Sequence, residues 1–119
     1  MIIKSLRNIA GFQAGDASFL KEILHPGKEP LAIGYSLAHA AVEPGARTRP
    51  HRLKSAEVYV IVEGQGLMHV GAERAGVGPG DAVYIPPGAI QSVENPGPGR
   101  LAFLCIVDPA WRPADEEVL

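Results

Sequence analysis

Most of the chain consists of short apolar runs that end in glycine or proline, a pattern typical of an all-β protein with many turns. Residues 18–25 fit a helical turn and a strand about equally well, because periodicity does not separate such short runs. Strands are predicted at residues 33–42, 57–62, 67–70, 74–77, 82–85, 90–95 and 101–107. About eight short strands without a convincing helix predict a single jelly-roll barrel, an architecture that encloses a pocket between two sheets.

Alternation along residues 33–42 divides this predicted strand into two faces. The larger side chains, among them Tyr35, Leu37 and His39, share one face, so we expect that face to point into the barrel. His39 would then line the pocket or lie at its mouth. It is interpreted either as a hydrogen-bonded core histidine or as a metal ligand, and the pattern leaves both interpretations open.

The predicted strand at residues 57–62 is apolar on both faces except at Glu57. In a chain of 119 residues, a strand buried on both sides needs a cover, and a second subunit supplies it most simply. We therefore predict a homodimer whose outer sheet faces pack together. Burying Glu57 as an isolated ion would cost several kcal/mol, so its carboxylate needs a cation, a network of hydrogen-bond donors or a water-filled pocket.

Composition and charge limit the classes of partner. The formal net charge is −2, so no strong field favours binding to nucleic acid or to an anionic membrane. The single cysteine excludes an internal disulfide, and no N-terminal apolar run predicts a signal peptide or a membrane span. We expect one cytoplasmic domain over residues 1–119, with an N-terminal strand region (1–30), a barrel core (31–107) and a C-terminal tail (108–119) that leaves the barrel in a solvated acidic end.

The segment from Gly45 to Gly64 carries the first of two patterns that resemble the signatures of the cupin superfamily. Gly45, His51, Glu57 and Gly64 stand at the positions of its glycine, first histidine, glutamate and closing glycine. Leu53 stands where the second histidine belongs. This pattern departs from the family at one of its usual metal ligands.

The second pattern follows in the expected order. Gly80, Pro86, Gly88 and Asn95 match it, and Gln91 stands where its histidine belongs. Together the two patterns resemble a small single-domain cupin of the conserved-barrel, sugar-phosphate isomerase-like type over roughly residues 31–107. The resemblance implies a double-stranded β-helix, and it also implies a dimer, since many cupins dimerise through their outer sheets.

The resemblance also implies a site for one divalent metal ion, Fe, Mn, Ni or Zn, with His51, Glu57 and Gln91 as ligands. Spacing alone does not assemble this site, because an extended chain from His51 to Glu57 spans about 20 Å. Leu53 cannot coordinate a metal ion, and Gln91 offers only a neutral amide oxygen. The alternative is a metal-free polar pocket in which Glu57 and Gln91 hydrogen-bond to each other or to Tyr59, with His51 exposed in its loop.

Two functions of different classes follow. The first is a metal-dependent isomerase or dioxygenase with Glu57 as a catalytic residue and Tyr59 as a proton donor. The second is a binding or sensing protein without catalysis or metal. Basic residues around His51 predict a small acidic ligand, since arginine pairs well with carboxylates and phosphates. The residues expected in the substrate pocket are Arg49, Gln91, Cys105 and His39.

Overall fold

The computed structural model describes residues 1–119 and consists of two antiparallel sheets that face each other. Short 3-10 helices lie at Leu6–Asn8 and Pro113–Asp115. The strands are β1 (Phe12–Gln13), β2 (Phe19–Leu24), β3 (Ser36–Val42), β4 (His51–Leu53), β5 (Ala56–Glu63), β6 (Gly66–Val70), β7 (Glu73–Val77), β8 (Ala82–Ile85), β9 (Gln91–Glu94), β10 (Leu101–Asp108) and β11 (Glu116–Val118). The first sheet has the order β1-β2-β3-β10-β5-β8 and the second β11-β4-β9-β6-β7. No helix has both the length and the apolar character needed to cross a bilayer.

This architecture confirms the predicted all-β double-sheet barrel. Each strand predicted between residues 57 and 107 is present, with bounds that differ by a residue or two. The ambiguous run at residues 18–25 forms β2, which pairs with β3. Strand β4 was expected to be part of a loop, and it instead pairs with β9 through His51 and Gln91.

The core between the sheets is built from ten buried residues of both sheets. Phe103 of β10 stacks on Tyr59 of β5, with ring centroids 4.3 Å apart. Ile61, Val93 and Leu101 are fully buried around this pair. Apolar burial of this kind is the main stabilising contribution in a domain of this size.

The prediction for the inward face of β3 was wrong. Ser36, Ala38 and Ala40 point into the barrel and line its cavity, so His39 lies on the outer face of the sheet. There it is paired across the sheet with Leu104 of β10 and with Lys21 of β2. Side-chain size misled the assignment because short side chains on the inner face leave the space that becomes the cavity.

The C-terminal segment belongs to a sheet, in contrast to the expected solvated tail. β11 pairs with β4 across Glu117 and Arg52, whose side chains also form an ion pair of 2.8 Å. Asp115 is buried, and Glu116 lines the barrel cavity. Within the expected N-terminal strand region, the first residues form no strand before the first 3-10 helix.

The outer face of the six-stranded sheet carries a continuous apolar row. A row of cross-strand neighbours runs through Leu37, Ile106, Val58 and Tyr84, one residue from each of four adjacent strands. Their sequence neighbours on β3, β5 and β10 line the cavity, so these four side chains point outward. Tyr84 is 64% exposed, which leaves its ring open to solvent.

Candidate functional site

A partly enclosed cavity of about 140 Å³ lies between the sheets. This volume is well above the roughly 10–15 Å³ that a cavity needs to hold one water. Its walls come from the β1–β2 hairpin, from β3, β4, β5 and β10, and from the C-terminal segment. The polar and charged side chains that line it are Asp16, Ser18, Glu22, Lys28, Ser36, His51, Glu57, Tyr59 and Glu116.

A corner between β4 and β5 brings His51 and Glu57 to the same cavity. The chain turns at Lys54 and Ser55, which joins β4 in one sheet to β5 in the other. The Lys54 amide donates to the Asp115 carbonyl, and the Ser55 hydroxyl donates to the Pro109 carbonyl over 2.8 Å. These hydrogen bonds to the C-terminal segment fix a bend that needs neither glycine nor proline.

His51 is held in one orientation by its backbone contact. Its Nδ1 lies 2.7 Å from the Arg49 carbonyl oxygen, so Nδ1 must carry a proton and donate it. In the neutral ring the lone pair is therefore on Nε2. His51 is only 2% exposed, and its Nε2 lies 3.6 Å from Asp16 Oδ2, beyond hydrogen-bond distance.

Asp16 reaches this position from the tight turn between β1 and β2. Its Oδ1 accepts hydrogen bonds from the amide and the hydroxyl of Ser18, at 2.9 and 2.6 Å. The next residue, Ala17, has φ of 76°, a left-handed conformation that costs a non-glycine residue about 1–2 kcal/mol. The clamp on Oδ1 leaves Oδ2 free to face His51.

Glu57, Gln91 and Tyr59 form a buried hydrogen-bonded chain. The Tyr59 hydroxyl donates to Gln91 Oε1 over 2.8 Å, and Gln91 Nε2 donates to Glu57 Oε1 over 2.9 Å. The second Glu57 oxygen, Oε2, accepts no hydrogen bond from any group of the protein. Since no fully buried polar side-chain atom is left without a partner, Oε2 must be open to the cavity.

Burial sets the pKa values of the two titratable residues in this network, Glu57 and Tyr59. It raises the pKa of Glu57 to about 8, against an opposing effect of the Gln91 hydrogen bond and with further increases from Asp16 and Glu116. Glu57 is therefore mostly a neutral carboxylic acid at neutral pH. Burial also raises the pKa of Tyr59 well above its ordinary value of 10.0, which makes this hydroxyl a poor proton donor.

Comparison with known proteins identifies the family. The family model for the cupin domain (Cupin_2) matches residues 38–107. The chain belongs to the cupin family. The uncharacterized protein MJ1618 of Methanocaldococcus jannaschii is a relative, 39% identical over 105 residues, which cover 87% of this chain and 83% of that protein.

Similar solved structures confirm the fold. The polyketide cyclase RemF of Streptomyces resistomycificus has a TM-score of 0.83 at 18% identity, over 100% of this chain and 85% of its own. The Streptomyces nucleoside dehydratase Pac13 has 0.79 at 18%, over 100% and 91%. A predicted oxalate decarboxylase of Thermotoga maritima has 0.79 at 20%, over 92% and 99%. At these identities the likeness establishes the barrel and not the reaction.

The residues predicted for the substrate pocket of this cupin are only partly brought together. Cys105 lines the cavity, and burial raises the pKa of its thiol well above 9.0, so it is an unreactive wall residue. Gln91 lies behind Glu57 as its hydrogen-bond donor rather than in the cavity wall. Neither His39 nor the Arg49 side chain lines the cavity; Arg49 is exposed and contributes only its backbone.

The side chains present do not fit the metal centre that the cupin resemblance implied. Leu53 places an apolar side chain in the cavity wall at one ligand position. Both ends of the Gln91 amide are already hydrogen-bonded, to Tyr59 and Glu57. No three histidine, cysteine or carboxylate side chains lie close enough to share one metal ion. The structure instead contains the Glu57–Gln91–Tyr59 hydrogen bonds of the metal-free alternative, although His51 is buried rather than exposed.

Three residues of the site were missed by sequence reasoning. Asp16 and Glu116 place carboxyl groups in the cavity wall, and Trp111 adds an indole. Asp16 follows a glycine in the N-terminal strand region, where no site residue was predicted, and Glu116 lies in a stretch with the composition of a solvated tail. No local pattern marks either carboxylate as a cavity residue, because both are placed by pairing with distant strands.

Proposed function

We propose that this cupin binds a small organic molecule in its barrel cavity and exchanges protons with it through His51 and Glu57, without a metal ion. One observation carries this proposal. His51 Nε2 and Glu57 Oε2 take no hydrogen bond from the chain, and both residues line the same cavity. Two titratable groups with different environments, directed at one site, are the usual arrangement for general acid–base chemistry.

The two groups are suited to opposite roles. Because Nδ1 donates to the backbone, the neutral form of the His51 ring holds its lone pair on Nε2, and there it can accept a proton from a bound molecule. Glu57, protonated at neutral pH, can deliver one from its open oxygen. A base that removes a proton from carbon and an acid that protonates a departing hydroxyl are sufficient for elimination of water. The same pair is sufficient for isomerisation by proton transfer.

A base-sensitive probe tests the proton-transfer part of the proposal. Nitrobenzisoxazole is a compact neutral compound that opens to a coloured phenolate when a base removes its C–H proton. We expect turnover above buffer, reduced about 100-fold or more in His51→Ala. His69→Ala is the matched control, because His69 lies outside the cavity in an ion pair with Glu94. Binding of the probe without turnover in the parent protein would instead favour a binding cupin that performs no reaction.

Elemental analysis tests the metal-free part. The untagged protein is analysed as purified and after incubation with Fe, Mn, Ni or Zn, followed by desalting. We expect far less than one metal ion for each chain, and no difference between the parent and His51→Ala. Near-stoichiometric metal that is lost in His51→Ala would overturn the proposal and restore the metal-dependent alternative.

We also propose that the apolar outer face covers itself in a homodimer. The row from Leu37 to Tyr84 spans four strands without a charged side chain, and a second copy offers the same apolar surface in a two-fold arrangement. In sedimentation analysis we expect a dimer for the parent and a monomer for Val58→Lys. Ile90→Lys places the same charge at an exposed apolar residue outside this row and should stay dimeric. A monomeric parent at micromolar concentration would refute this arrangement.

A further inference from the structure

The charges around the cavity are strongly unbalanced. Lys28 contributes no free positive charge, because its Nζ lies 2.6 Å from Glu22 Oε1. Once this pair is set aside, the carboxylates of Asp16 and Glu116 and the largely protonated carboxyl group of Glu57 face one imidazole, that of His51.

One oxygen of the Asp16 carboxylate has no hydrogen-bond donor, and His51 Nε2 lies 3.6 Å from it. Asp16 is 8% exposed, and its Oδ2 accepts no hydrogen bond from the chain. Since no fully buried polar side-chain atom lacks a partner, Oδ2 is open to the cavity. A buried carboxylate oxygen aimed into a cavity is stabilised by a donor or a cation. The chain supplies neither at hydrogen-bond distance.

The three carboxyl groups share one electrostatic field. The charges of Asp16 and Glu116 both raise the pKa of Glu57, and the charge of Asp16 raises that of Glu116, in addition to the larger effect of burial. A positive charge placed among the three would relieve this repulsion. A further negative charge, such as that of an anionic ligand, would increase the repulsion.

The basic residues that were expected to attract an acidic ligand do not reach the cavity. Arg52 pairs with Glu117, and Arg47 lies 3.8 Å from Glu94 on the outside of the barrel. Arg49 and Lys54 are exposed and are not part of the cavity wall. An anion would therefore lose its hydration without gaining a cationic partner.

Aromatic side chains complete the cavity wall. Phe12 and Trp111 lie at its exposed side, and Tyr59 and Phe103 form the buried side. Aromatic rings attract organic cations through their negative faces, with the strongest effect for tryptophan. Carboxylates together with aromatic rings suit an ammonium group better than a neutral hydroxyl group.

We propose that the ligand of this cavity is a small organic cation, whose ammonium group is held by Asp16 and Glu116 beside the aromatic wall. This inference rests on the proposed function to the extent that the barrel cavity is the ligand site. It narrows that site to a class of ligand. The ammonium group would supply the donor that Asp16 Oδ2 lacks, and the rest of the molecule would lie toward His51 and Glu57.

Three probes of matched shape test the charge. Benzylamine, benzyl alcohol and benzoate share one aromatic ring and differ in charge at neutral pH. By isothermal titration we expect benzylamine to bind about tenfold or more tightly than benzyl alcohol, with benzoate the weakest. Equal or tighter binding of benzyl alcohol or benzoate would refute the cationic ligand and leave the proposed function standing. Failure of all three probes to bind would overturn both, because the cavity would not be a ligand site.

Isosteric variants locate the charge. Asp16→Asn keeps the oxygen that accepts from Ser18, so it should reduce benzylamine binding about tenfold while benzyl alcohol binding changes little. Glu116→Gln gives a second, independent test if Asp16→Asn does not fold. Glu73→Gln removes the same charge from the exposed strand β7, outside the cavity, and should leave the preference unchanged. An equal loss in Glu73→Gln would attribute the preference to net charge and refute the site.

Discussion

Replacing Glu57 with glutamine removes the most perturbed carboxyl group of the cavity and keeps its shape. The side chain is 6% exposed and accepts a hydrogen bond of 2.9 Å from Gln91. A glutamine oxygen at the same place can accept that hydrogen bond. The substitution therefore isolates the energetic effect of a buried ionisable group.

The magnitude follows from the difference in pKa between the folded and unfolded chains. Burial raises the pKa of Glu57 to about 8 from its ordinary value of 4.5. The folded protein therefore holds a proton that the unfolded chain releases between these values. This contribution to stability is fully present below pH 4.5 and is lost as the pH rises to about 8. The loss is about 5 kcal/mol at most, and Glu57→Gln should remove it.

Urea unfolding measured from about pH 5 to about pH 9 tests this reasoning. The free energy of unfolding of the parent should fall across this range, and that of Glu57→Gln should fall much less. Glu63→Gln is the matched control, because Glu63 lies on the same strand but is exposed and paired with Arg100. If the parent and Glu57→Gln lose stability in parallel, Glu57 does not hold its proton through burial, and its role as an acid fails with it.

Three further predictions concern the framework. Gly64→Ala and Gly80→Ala both place a side chain at positive φ, but only at Gly64 would the new Cβ collide with the Arg100 carbonyl, so Gly64→Ala should lose about 1–3 kcal/mol more in urea unfolding. Tyr59→Phe leaves an amide oxygen without its donor and should cost about 1–3 kcal/mol in the same assay. Burial, with help from nearby basic side chains, lowers the pKa of His39. Parent stability should therefore fall as the pH drops below 6.5, and His39→Leu should remove this dependence.

The strands were predictable because glycine and proline residues mark their ends in the sequence. The run that became β8 ends at Ile85 because two prolines follow, and proline cannot donate to a sheet. The run that became β10 is bounded by Gly99 and Pro109. The prediction of which face of β3 points inward depended on long-range packing, and it was wrong. The inner face carries the smaller side chains because a cavity, rather than a filled core, lies beneath them.

Part of the site was also predictable. Glu57 is an acidic residue in an apolar run, so its burial requires a hydrogen-bonding partner. The Gln91 amide is that partner. That Gln91 replaced a histidine in the cupin pattern indicated a hydrogen-bonding role as well as a weak ligand, and the structure contains the hydrogen bonds. The acidic character of the expected ligand was inferred from basic residues near His51 in sequence. None of these side chains lines the cavity; the one that lies on a strand, Arg52 of β4, alternates with His51 and Leu53, which face inward.

The remaining part of the site depends on how the two ends of the chain close over the barrel. Asp16 is carried by the hairpin between β1 and β2, and Glu116 by a three-residue strand that pairs with β4. Both elements are too short for hydrophobic periodicity to identify them as strands. Each takes its position only by pairing with other strands of the barrel. Because these two carboxylates outweigh His51 in the cavity, the sign of charge on the ligand is determined by the least predictable segments of the chain. A truncation that removes β11 should therefore change which ligand charge the cavity prefers while the rest of the barrel stays folded.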